Sequence, residues 1–190
     1  MTYDSNDFLD RLRQRVTENV AVLDHLDTLP QEALHLRPRP EAWTALEALS
    51  HINSFDRAYQ RQVDRALEQQ DYGSANTFRP GLVGKVVANW ARPGAKTIKL
   101  WAPKSVNFKR KAIRPGTLEE CREYSARLLA LIERARSQDL TRVKVATIEV
   151  SWIKLRLGDV LRLLVNHDWR HIEQAERATR GEAGIRTSEK

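Results

Sequence analysis

The sequence has one cysteine, Cys121, so no intrachain disulfide can form, and that fits a reducing compartment. It has no apolar run near the ~20 residues that span a bilayer. The start, "MTYDSNDFLDRLRQ", has early acids and no apolar segment, so it does not read as a secretory signal. A cytoplasmic protein without membrane spans is the expectation. The most local absence is of acids: from Tyr72 to Leu118 there is no Asp or Glu. The same stretch holds Arg79, Lys85, Arg92, Lys96, Lys99, Lys104, Lys109, Arg110, Lys111 and Arg114. The formal net charge of +7 is therefore concentrated there, and the rest of the chain is slightly acidic. A field of one sign attracts anions.

Hydrophobic residues make up 41% and charged residues 30% of the 190, an ordinary globular balance. That length suits one domain, here residues 1–180, with a core large enough to need no staples. Four segments carry apolar residues at spacings of three and four. The first runs from Asn6 to Asp27, and Pro30 ends it. Pro38 and Pro40 break the connector that follows. The second starts near Glu41 or Trp43 and reaches Gln70. The third spans Thr117 to Ser137, with Thr117 as N-cap and Glu119 and Glu120 in the first turn. The fourth runs from Leu157 to Thr179. Four amphipathic helices of this length predict an all-α four-helix bundle. Residues 72–116 then form a long basic insertion between helices two and three, with a short helix around Leu82 to Trp90. Loops this long are often functional. "TRVKVATIEVSWIKLRL" alternates weakly and reads as extended, and the polar tail 181–190 reads as disordered.

The fourth helix carries a chemical signal. His167 and His171 lie four residues apart on its apolar stripe, so two imidazoles can face one ion. Such residues can also be hydrogen-bonded core histidines, and without an adjacent Glu this is not the metalloprotease motif; Asp168 occupies that position. A catalytic site usually has a third protein ligand. His25, His35 and His51 are the candidates, and His51, at the edge of the apolar face of helix two, is best placed. Cys121 lies on a core stripe and reads as a small hydrophobe.

"PEAWTALEALSHI", "RPGAKTIKLWAPKS" and "HDWRHIEQ" together resemble the DinB/YfiT-like superfamily of metal-dependent proteins. Trp43 stands eight residues before His51, and His167, Arg170, His171 and Gln174 match an H-x-x-R-H-x-x-Q signature. The resemblance implies an up-down-down-up bundle, often homodimeric, with a metal on His51, His167 and His171; imidazole ligation suits a divalent Zn, Ni, Fe or Cu. It also implies a small-molecule substrate. It leaves the reaction open: some members resemble S-transferases that use low-molecular-weight thiols, others a mycothiol-dependent isomerase. Gln174, Arg170 and Glu47 are candidates to brace the site, although Glu47 reads better as an ordinary helix-surface residue, and Arg170 could instead form a salt bridge or grip an anionic substrate. Trp43 reads as a packing anchor. The competing class is a nucleic-acid- or anion-binding protein using the basic segment 79–114 with its aromatics Trp90, Trp101 and Phe108. A metal-binding bundle without catalysis is the third reading.

Overall fold

A computed structural model describes residues 2–94, 113–148, 150 and 152–182. Residues 95–112 of the basic insertion and the tail 183–190 lie outside the described residues, Trp101 and Phe108 among them.

The chain is all-α in its framework. Four long helices, α1 (Ser5–Asp27), α3 (Ala45–Gln69), α5 (Thr117–Ala135) and α6 (Leu157–Thr179), are joined by two shorter ones, α2 (Gln31–Leu34) and α4 (Leu82–Trp90). Helix α3 packs on α5 and α6, α1 packs on the same two, and α4 lies on α6. The apolar stripes read from the sequence face inward. Leu9, Val63, Leu128 and Leu161 belong to one cluster of the core, and Leu23, Leu49, Cys121 and Ile172 to the other. No helix among the described residues is long and apolar enough to cross a membrane.

Local chemistry sets the helix ends. Helix α3 begins at Ala45 rather than at Glu41 or Trp43, because Thr44 and Glu47 form a capping box. The Thr44 hydroxyl accepts from the Glu47 amide, and the Glu47 carboxylate accepts from the Thr44 amide at 2.9 Å. Arg37 grips the same carboxylate from outside, so Glu47 serves the helix end and not the histidines. Helix α5 is capped by Gly116, whose φ of 77° is left-handed, and not by Thr117. The Thr117 hydroxyl instead donates back to the Arg114 carbonyl.

The alternating segment is extended as expected. Strand β3 (Lys144–Ala146) pairs antiparallel with β4 (Lys154–Arg156), which runs directly into α6. A second two-residue pairing, β1 (Tyr3–Asp4) with β2 (Thr77–Phe78), ties the start of α1 to the chain after α3. It brings Phe78 into the core beside Phe8. There Phe78 covers Gly158, where a Cβ would come within 2.6 Å of the ring. Helix α4 approaches α6 as closely at Gly84, and the buried Asp159 accepts from the Gly81 amide at its N-terminus.

Candidate metal centre

His51 comes from the second turn of α3, and His167 and His171 come from successive turns of the second half of α6. Contact between these two helices converges the three rings. One ring nitrogen from each residue falls within 4.8 Å of the others, and among the described residues this is the group suited to hold a metal ion. The Nε2 atoms of His51 and His167 are 3.0 Å apart. Gln174, one turn after His171, accepts from His171 Nδ1 at 2.9 Å. That bond places the proton on Nδ1 and leaves the His171 Nε2 lone pair for the cluster.

Aromatic faces cover the group. Phe55, one turn after His51, stacks on His167 with centroids 3.9 Å apart. Trp43 lies against both His51 and His171, at 5.1 and 5.8 Å. It is the packing anchor expected, and the rings it anchors are those of the site. Burial among these groups lowers all three imidazoles. His51 falls to about 3 through burial and the neighbouring His167. His167 falls to about 3 through burial and the field of Arg170, and His171 is held well below its ordinary value, chiefly by burial. The three rings are therefore neutral at physiological pH, with lone pairs available.

These residues fit a divalent transition metal. The donor set is all nitrogen, which suits zinc, nickel or iron and not magnesium or calcium. Tetrahedral Zn–N bonds of ~2.05 Å separate two donors by ~3.3 Å, so the His51–His167 pair needs to open by only a few tenths of an ångström.

The remaining histidines stand apart. His25 and His35 are exposed at the ends of α1 and α2 and are not part of the cluster. Arg170 points toward α4, where it donates to the Trp90 carbonyl at 2.9 Å. Its tie to the site is electrostatic, through the depression of His167 and His171. Cys121 is buried and burial pushes its thiol up, which makes it core filling as expected.

One further feature of the site is a pair of buried acids, Asp56 on α3 and Asp168 on α6. Burial and the like charge of its neighbour push Asp56 well above the carboxylate range, and burial raises Asp168 to about 8. Two carboxyls raised in this way are largely protonated at neutral pH. Asp168 also comes to 3.8 Å from His167 Nδ1, short of a hydrogen bond but on the side of the ring turned from His51. The signal for Asp56 was present in the sequence: it sits four after Ile52 and three before Tyr59, on the buried stripe of its helix.

The profile of the DinB superfamily matches residues 9–175, from α1 nearly to the end of α6. The chain belongs to the DinB superfamily. Among curated proteins and among solved structures, none matches it. In this DinB-superfamily chain the motif residues Trp43, His51, His167, His171 and Gln174 form one contiguous group, while Arg170 bonds the Trp90 carbonyl.

Proposed function

We propose that the chain is a metal-dependent enzyme in which His51, His167 and His171 hold one divalent ion, zinc, nickel or iron. The observation that carries this reading is the convergence of three neutral, lone-pair-bearing imidazoles from two helices. An ion held there would act as a Lewis acid, lowering the pKa of a thiol or water so that it is a nucleophile at neutral pH.

The chain's own residues define the rest. Gln174 holds His171 in one tautomer. Phe55 and Trp43 cover the rings with apolar faces, which lowers the local dielectric and strengthens electrostatics inside. Because the ligand set carries no charge, an anionic nucleophile is favoured on the open side. A low-molecular-weight thiol as co-substrate and a small electrophile as acceptor fit that preference. The reaction is then S-transfer to, or hydrolysis of, that molecule. A cytoplasmic homodimer belongs to the same reading through the family resemblance.

Elemental analysis of metal-replete protein tests it. About one ion per chain is expected for the wild type, and none for the triple variant H51A/H167A/H171A. A wild type without stoichiometric metal refutes the proposal. Bound metal without consumption of thiol or electrophile reduces the protein to a metal-binding bundle. The nucleic-acid reading draws on 79–114, half of which lies outside the described residues, and no contact described above favours it.

A further inference from the structure

A cleft of about 290 Å³ opens between α1, α4 and α6. Its charged lining has one sign: Arg11 and Arg15 from α1, Arg92 beyond the end of α4, and Arg162 from α6, with no acid among the lining residues. The cleft is separate from the histidine cluster. Counting ~100° per residue, Trp169 of the cleft and His167 of the cluster project roughly 200° apart around α6.

Four guanidinium groups around one cavity repel each other unless something negative lies between them. Two are partly compensated. Arg162 pairs with the buried Asp159 at 3.1 Å, and Arg15 pairs with Glu18 while lying flat over the Trp169 ring at 3.9 Å. The side chains of Arg11 and Arg92 have no ion pair among the described residues. Arg162 carries the strongest indication: its side chain is only 12% exposed, and its Nε–H is buried with no hydrogen-bond acceptor among the described residues. Buried donors are ordinarily satisfied, and a charged one more so than most. The wall behind is braced, since the Asn166 amide of α6 donates to the Ala88 carbonyl of α4 at 2.8 Å.

We propose that this cleft binds a small phosphorylated molecule, of the size of pyrophosphate or a phosphate monoester. A phosphoryl group presents three oxygens in a tetrahedral array and can accept from several guanidinium forks at once; a carboxylate offers two oxygens in one plane. The volume lies at the lower end for ligand sites, so it admits a small ligand and not a dinucleotide.

The test is calorimetry with inorganic pyrophosphate at fixed ionic strength, on metal-free protein. The wild type is expected to bind one equivalent. The double variant R11Q/R92Q, altered at two exposed arginines without ion pairs, should keep its fold and lose roughly tenfold or more in affinity. A charge-matched control, R13Q/R39Q, removes two exposed arginines that do not line the cleft and should stay within about threefold of the wild type. R162K keeps the charge but removes the Nε–H fork, and a comparable loss of roughly tenfold is expected if geometry matters. No binding by the wild type, or equal losses in R11Q/R92Q and R13Q/R39Q, overturns the assignment. So does tight binding of a single-stranded oligonucleotide by a protein that ignores pyrophosphate.

Discussion

Replacing Asp56 by Asn tests whether α3 and α6 meet through a protonated carboxyl. In the folded chain Asp56 holds a proton at neutral pH, because burial and the neighbouring Asp168 raise its carboxyl, and burial raises Asp168 as well. On unfolding both return to ordinary values near 4 and the proton is released. A carboxyl raised by folding contributes stability that is present at low pH and lost as pH rises through the folded value, about 8 for Asp168. The slope for one proton is ~1.4 kcal/mol per pH unit, or ~2.7 kcal/mol between pH 6 and pH 8. In D56N the Asn amide does not titrate while Asp168 stays buried, so the slope from Asp56 disappears and that from Asp168 remains. The gap between variant and wild type should therefore move in favour of D56N by ~2–3 kcal/mol across that window. Urea unfolding of both proteins at pH 6, 7 and 8, with chelator present, measures it. Taking the difference cancels every other titrating group. A gap that stays constant within ~0.5 kcal/mol would show that folding does not hold Asp56 protonated.

Four further outcomes follow from the structure. With His51 and His167 already near 3, metal affinity should change less than about tenfold from pH 7.5 to 5.5; three ordinary imidazoles would lose ~1,000-fold, and chelator competition separates the two cases. The metal-free chain should conversely lose stability as pH falls from ~6.5 toward 3, since these depressed histidines take up protons only on unfolding, and thermal melts in that range check the sign. Q174A should weaken metal binding by ~10–100-fold without unfolding the protein, because His171 loses the acceptor that fixes its ring; an unchanged dissociation constant would remove Gln174 from the site. G158A puts a methyl group within 2.6 Å of the Phe78 ring and should cost ~1–3 kcal/mol by calorimetric melting, recovered in part by pairing it with F78L.

Much of this was legible in the sequence because it is periodic or local. The four long helices follow from apolar spacing, and the His167–His171 pair follows from a four-residue interval on one of them. His51 was legible from its place at the edge of the apolar face of helix two. The start of α3 could have been read more closely, since Thr44 and Glu47 have the spacing of a capping box. The pairing of Asp56 with Asp168 was not legible, because it depends on which faces of α3 and α6 meet, although an acid on a buried stripe announces that something must compensate it. The β1–β2 pairing is two residues long and leaves no periodic trace. The arginine cleft gathers residues from three helices whose spacing in the chain says nothing of their proximity.

A chain with a single thiol has no covalent means of clamping itself shut. Yet His51 and His167, 116 residues apart, meet at 3.0 Å across two helices. An ion shared between them would be the nearest equivalent to a cross-link, closing the long loop that runs out through the basic insertion and back. At an ion concentration 1,000 times the dissociation constant such a clasp adds ~4 kcal/mol to the native state. Withdrawing that metal would thus loosen the architecture as well as empty the site.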